Sequence, residues 1–440
     1  MKKEDVKLAV FSSFDKNGGA AIVCYNCVKM LREQGYNAIE VVRYKSCDDE
    51  FVYSVPFRHK SFVKRLIGKL YSFIRKPYRD IKEDTDSEYR FFGDESDSPD
   101  MCTISEIESA MPFIPNVVFV GHTFNLVNTT ILAQLYKKWN CHIYLSCTDI
   151  SPYTGGCHVH WDCKGYTTGC KNCPAVLLES RKHEVAAAFE KKKKNIIEGH
   201  IGICYANNWL KKEIEQSLLF HESDLLFTGQ GTNIDLYNPK NRNIAKQVFG
   251  IPQESKTIMN GSTALNDLRK GLKYFIEAMQ LLYDSLQENI RNQVTLIIIG
   301  KNIESVQTLL EELPNFDIKV IDFITDSRLM SLAYQATDIY VGTSLEDAGP
   351  MMVSDSLACG TPVVGFRTGF FGDSDIIEDG KTGYSVELKD TKALVDRIRE
   401  VLLLSQDEYD QMSANCRFVA EEKLSKYKTI ERYNEFFSEL

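Results

Sequence analysis

Short apolar runs alternate along this chain with stretches whose apolar positions recur every three or four residues. The runs at 8–11, 38–42, 116–121, 142–147, 200–204 and 225–228 read as strands, and 20–34 and 129–139 read as helices between them. The second half repeats the alternation. Strands are expected at 257–261, 294–300, 318–321, 339–341 and 362–366, with helices at 270–286, 305–313, 326–336 and 350–359. Strand–helix alternation of this kind predicts an α/β protein with two doubly wound parallel sheets. Ligands of such sheets bind beyond the carboxyl ends of the strands. At 440 residues two domains are expected, with a linker near 235–252.

Residues 57–82 change the picture locally. They carry nine basic residues against Asp80 alone, and Phe62, Leu66, Ile67, Leu70, Phe73 and Ile74 recur at helical spacing. Two readings stand side by side: a basic amphipathic helix on an anionic membrane surface, and a surface helix docked on its own domain. The acidic stretch 80–100 that follows reads as a mobile connection. Composition is otherwise that of a globular protein, with 43% hydrophobic and 26% charged residues. No apolar run approaches the roughly 20 residues that span a bilayer. Residues 1–10 lack the apolar core of a signal peptide. Thirteen scattered cysteines, an odd number, point away from a disulfide framework and towards a reducing cytoplasm. The net charge of −9 argues against nucleic acid as a partner.

Most of the candidate chemistry lies at residues 344–365. Asp347 and Asp355 stand eight residues apart around Gly349-Pro350, which can open a helix. Asp347 is then expected at the helix mouth and Asp355 about two turns along. The free N–H groups of such a helix suit a phosphate, and a carboxylate farther along suits sugar hydroxyls. Upstream, Arg269-Lys270-Gly271 offers two fixed positive charges. The plain alternatives are a solvated helix start for Lys270 and an ordinary N-cap for Asp347.

The stretch 344–365 resembles the donor-site signature of retaining family 4 (group 1) glycosyltransferases, a glutamate, seven residues and a second glutamate. The likeness continues through the Gly18-Gly19 turn, Asn207-Asn208-Trp209-Leu210, residues 231–239, residues 266–271 and Asp379-Gly380-Lys381-Thr382-Gly383. It implies a GT-B fold of two Rossmann-like domains facing a cleft, with residues 1–240 on the acceptor side and 253–415 holding the nucleotide sugar. The end, 416–440, would return to the N-terminal domain. It implies transfer of a sugar from a UDP- or GDP-sugar to a glycan or lipid-linked acceptor, without a catalytic metal. Lys270 and Arg269 would stabilise the diphosphate leaving group while the anomeric carbon passes through an oxocarbenium-like state. Asp347 would hold sugar hydroxyls, Asp355 the ribose, and Gly18, Gly19, Ala348, Gly349, Pro350 and Met351 would line the donor. The enzyme would be cytoplasmic or peripheral at the inner membrane face.

Residues 148–174 are similar to the cysteine-bearing loop of the colanic-acid-type polysaccharide subgroup. Cys157, Cys163, Cys170 and Cys173 have spacings compatible with a structural zinc, with His158 or His160 as substitutes. A packed loop with free thiols is the other reading. This chain also departs from the family. Both motif glutamates are aspartates, and Glu346, beside Asp347 in the donor site, could share or take over its role. Thr148 occupies a position where the subgroup usually has histidine, and Ser262 replaces a frequent arginine. His122 is a candidate polar contact or acid–base group, with a structural histidine equally open. The departures keep a second function in view, a catalytically impaired module that binds a sugar nucleotide, glycan or protein.

Overall fold

The structure is a computed structural model that describes residues 1–56, 84–91, 101–121 and 125–440. The first sheet has seven strands. They are β1 (Lys7–Phe14), β2 (Asn37–Tyr44), β3 (Val52–Ser54), β4 (Val117–Val120), β5 (His142–Ser146), β6 (Ile201–Tyr205) and β7 (Leu225–Phe227), in the order β3-β2-β1-β4-β5-β6-β7. The second has β8 (Lys256–Ala264), β9 (Val294–Lys301), β10 (Asp317–Ile321), β11 (Ile339–Gly342), β12 (Val363–Phe366) and β13 (Gly383–Val386), in the order β10-β9-β8-β11-β12-β13. Strands run parallel across both sheets. Central strands such as β4 and β11 are buried along their whole length, which is why they read as unbroken apolar runs.

The chain divides into two compact units. One comprises Met1–Tyr205, Lys212–Leu226 and Asn434–Leu440; the other comprises Ala206–Lys211 and Phe227–Tyr433. The expected linker at 235–252 contains the helix Arg242–Val248, whose Ala245 belongs to the second unit's apolar core. Arg242 and Lys246 are tied there to the buried Asp338. The last helix, Lys426–Glu439, begins in the second unit and ends in the first. There Phe436 packs on Phe119 and Tyr144, and Tyr36 donates to Asn434.

Three expectations are corrected. The helix expected at 270–286 starts late: Leu268–Lys270 is a single 3-10 turn and Leu272–Ser285 is the helix. Gly271 causes the break, with φ +65° and only 2.1 Å between an added Cβ and the Thr343 carbonyl oxygen. The helix expected at 350–359 is Met351–Ala358, so Asp355 sits little more than one turn in. Part of the supposed mobile connection is ordered: residues 84–91 pair with the cysteine-bearing loop through Asp86 N–H to the Ala175 carbonyl and Val159 N–H to the Tyr89 carbonyl. The basic stretch 57–82 and His122 lie outside the described residues.

Candidate functional site

The site residues of the second unit gather where two loops leave the carboxyl ends of β8 and β11. Asp267 opens the first loop and receives the Arg269 N–H on its own carboxylate at 3.1 Å. The Leu345 N–H donates to the Arg269 carbonyl at 2.8 Å, stitching the second loop to the first. Across this stitch the Lys270 ammonium pairs with the Asp347 carboxylate. Arg269 reaches the Glu346 carbonyl at 3.1 Å and lies 3.9 Å from Asp347. Arg269 Nε is buried with no hydrogen-bond partner among the described residues, a donor left over for an anion.

Asp347 caps its own loop, accepting from the Gly349 N–H at 3.3 Å, just before the helix Met351–Ala358 begins. Burial alone would raise its pKa. The Lys270 and Arg269 charges outweigh that and hold it below the usual carboxylate range. Burial pulls Lys270 the other way, below its ordinary value. Thus two half-buried positive groups and a helix N-terminus converge on one carboxylate, an arrangement able to receive a diphosphate once that carboxylate moves aside.

Ala348, Gly349, Pro350 and Met351 form the turn into that helix, fixed from outside by the Asn207 side-chain amide donating to the Ala348 carbonyl at 2.7 Å. Asn207 had entered the sequence reading only as part of a matching segment. Its neighbour Asn208 is held by its N–H on Asp373 at 2.7 Å, and Trp209 packs on Gly372. Glu346 is buried at 5% exposure, and its main chain, through the carbonyl, holds Arg269. Asp355, on the same helix, is not gathered into the Lys270–Asp347 cluster by any hydrogen bond or ion pair among the described residues. Its carboxyl lies near Tyr237, Tyr334 and Cys359, where burial raises its pKa well above the ordinary carboxylate value.

Gly18 and Gly19 stand in the first unit, at the turn from β1 into the helix Gly19–Glu33, with nothing within 4 Å of where a side chain would start. In that unit the carboxyl end of β5 leads to Asp149, which pairs with His158 Nδ1 at 2.8 Å. Cys157, Cys163, Cys170 and Cys173 line one small cavity together with His160. Burial raises the pKa of Cys157 and Cys173 and pushes Cys170 up to about 12. Among the described residues no group of three or more His, Cys, Asp or Glu is placed to hold a metal ion. The thiols share a cavity, not a coordination centre.

With this geometry in hand, the likeness to known proteins falls into place. Sucrose-phosphate synthase from Thermosynechococcus elongatus superposes with a TM-score of 0.64 over 99% of this chain and 100% of its own, at 13% identity. HepE of Anabaena, solved in complex with UDP and glucose, gives 0.61 over 99% and 100% at 14% identity. The fold is therefore GT-B, two α/β domains each built on a parallel sheet. Within it, residues 241–417 match the family model of glycosyl transferases group 1, and that stretch holds Arg269, Lys270, Asp347 and Asp355. A curated relative, N-acetyl-alpha-D-glucosaminyl L-malate synthase of Bacillus anthracis, is 24% identical over 192 residues, 42% of this chain and 47% of that protein. The chain spans about half the length of the curated relatives it matches.

Proposed function

We propose that this protein is a retaining glycosyltransferase that moves a sugar from a nucleotide diphosphate to a glycan or lipid-linked acceptor in bacterial surface polysaccharide assembly. The observation that carries the reading is the Arg269–Lys270–Asp347 cluster at the mouth of the helix Met351–Ala358, inside the glycosyl transferases group 1 match. A donor's diphosphate takes over Lys270 and Arg269 from Asp347, which turns to the sugar hydroxyls. As the bond from the anomeric carbon to the diphosphate lengthens, the leaving oxygen gains negative charge and the two cations stabilise it. Retention then requires the acceptor hydroxyl to enter from the face that the diphosphate leaves. Asp355, with its raised pKa, faces the nucleotide ribose as a hydroxyl partner, and the first unit supplies the acceptor side. UDP is the favoured nucleotide because HepE was solved with it.

The subgroup role also carries the zinc staple as a proposal, resting on the spacing of Cys157, Cys163, Cys170 and Cys173 and on the cavity they share. To hold an ion they must draw together and lose their protons. One zinc per purified chain by elemental analysis supports the staple, and none leaves packed thiols. The functional reading is tested by thermal shift against UDP, GDP, ADP and their sugars. A ligand that binds only the folded state must stabilise it. Stabilisation by one nucleotide, lost in Lys270→Ala, supports a working donor pocket. No response to any of them favours the impaired binding module, to which the two aspartates and Thr148 already point.

A further inference from the structure

The cysteine-bearing loop also lines a wider pocket that the donor chemistry does not use and that adjoins the thiol cavity through Tyr89, Cys163, Gly165 and Pro174. Its volume is about 660 Å3, within the roughly 300–1,000 Å3 typical of small-molecule sites. Two aromatic rings, Tyr89 and Trp161, line it together with Asp162, Thr168, Lys171 and Asn172.

The walls are anchored. The Trp161 indole N–H donates to the Glu88 carbonyl at 3.2 Å, and the Tyr89 carbonyl accepts from the Val159 N–H at 3.2 Å. The Trp161 carbonyl accepts from His160 Nδ1 at 2.6 Å. Trp161 also stands at φ +51°, a left-handed backbone that a bulky side chain adopts only when its surroundings compel it. The fold spends backbone strain to keep this ring in place, although Trp161 is only half-buried and contributes little to the core.

The lining chemistry selects among ligands. One carboxylate and one ammonium leave no net charge, so neither a phosphate nor a polycation is favoured. Two aromatic faces suit the C–H face of a pyranose ring. An acid, an amide and a hydroxyl provide donors and acceptors for its rim of hydroxyls. We propose that the Tyr89–Trp161 pocket binds one sugar ring of the acceptor glycan, an inference that rests on the glycosyltransferase reading.

The chain's three tryptophans make the test direct. Trp161 lines the pocket, Trp209 packs beside the donor loops on Gly372, and Trp139 is tied to Glu108 on a separate helix of the first unit. Fluorotryptophan is incorporated into the full chain, and the three fluorine resonances are assigned with single Trp→Phe variants. The protein is then titrated with glucose, galactose, mannose, N-acetylglucosamine and glucuronic acid, each as its methyl glycoside, and separately with UDP. The expected result is a saturable shift of the Trp161 resonance with at least one glycoside while Trp139 stays still, weakened at least tenfold in Asn172→Ala. No glycoside shift at Trp161, or an equal shift in Asn172→Ala, overturns the pocket. UDP moving Trp209 while no sugar moves Trp161 overturns this inference alone. A Trp161 response without any Trp209 response to UDP upholds the pocket and counts against the donor reading.

Discussion

Two buried carboxyl groups, one in each unit, have opposite fates. Asp347 in the second unit is 9% exposed yet ionised, because Lys270 and Arg269 close on it. Glu40, in the middle of β2 in the first unit, is fully buried, and neither of its oxygens has a hydrogen-bond partner among the described residues. Burial first, then the charges of Asp15 and Asp49, push its pKa up to about 9, with Lys16 opposing. Burial raises a carboxyl's pKa in both places, and the partner alone decides whether the charge survives. The second unit assembles charge where a ligand can compete for it; the first suppresses a charge inside its sheet.

The largest effect should follow from removing the partner. Lys270→Ala takes away a fixed cation facing the leaving group and should lower kcat at least about 100-fold, since one such donor is commonly worth 100- to 1,000-fold. It also strands Asp347, at about 3 kcal/mol of stability for an uncompensated buried charge. Adding Asp347→Asn should restore the melting temperature but not the activity. A double variant that recovers both would show the pair to be structural. One that recovers neither would show that Lys270 holds more than Asp347.

Glu40→Gln tests the other side. The sign follows from the raised pKa. Between about 4.5 and about 9 the folded chain keeps a proton on Glu40 that the unfolded chain has released, so stability falls as pH rises through that window. The amide removes the dependence and should add about 3 kcal/mol at pH 7, at 1.36 kcal/mol per pH unit above the unfolded value. Urea unfolding at several pH values measures it. Parallel pH curves for wild type and variant would mean that Glu40 is ionised in the folded protein.

This contrast also marks what the sequence makes legible. The central strands are plain because burial on both faces leaves only apolar residues. The missed strands, Val52–Ser54 and Gly383–Val386, are short edge strands paired on one side only, and carry no comparable run. Lys270 and Asp347 lie 77 residues apart, and their pairing depends on the stitch between the Leu345 N–H and the Arg269 carbonyl, which no spacing reveals. The motif itself showed which residue types to watch. Glu40 gave no signal, because a lone glutamate in an apolar strand looks like an exposed position. Asn207 was legible as a motif member, while its bond to the Ala348 carbonyl was not.

Glu213 sharpens the comparison within the first unit. Burial would raise it as it raises Glu40, but the groups that face it, His160 with Nε2 at 3.5 Å and the hydrogen-bonding Tyr166 and Lys164, outweigh burial and bring its pKa down to about 2. Its contribution is therefore present above about pH 4.5 and lost as pH falls towards 2. Glu213→Gln keeps the shape and loses the charge, and should cost about 1.5–3 kcal/mol at pH 7, the value of hydrogen bonds to a charged group. Acid titration followed by tyrosine and tryptophan fluorescence should show the wild-type transition shift upward in pH in the variant. An unchanged acid limb would place the acid sensitivity of this unit elsewhere.

The smallest effect on ligand binding belongs to Asp355, which stands in the second unit but resembles Glu40 in its environment. Its partners by proximity are the neutral Tyr237, Tyr334 and Cys359, so nothing holds its charge. A protonated carboxyl and a carboxamide are near isosteres. Asp355→Asn therefore keeps the shape and, by the same linkage as Glu40→Gln, should raise stability at pH 7 and flatten its fall with rising pH. UDP affinity should fall only severalfold, about one hydrogen bond to a ribose hydroxyl. Calorimetry on the same variant reads both quantities. A loss of about 3 kcal/mol or more in stability would mean that Asp355 is ionised and paired, as breaking a buried ion pair would require. Asp355 would then stand with Asp347 and Glu213, whose partners keep them charged, and the contrast with Glu40 would follow the partners and not the unit.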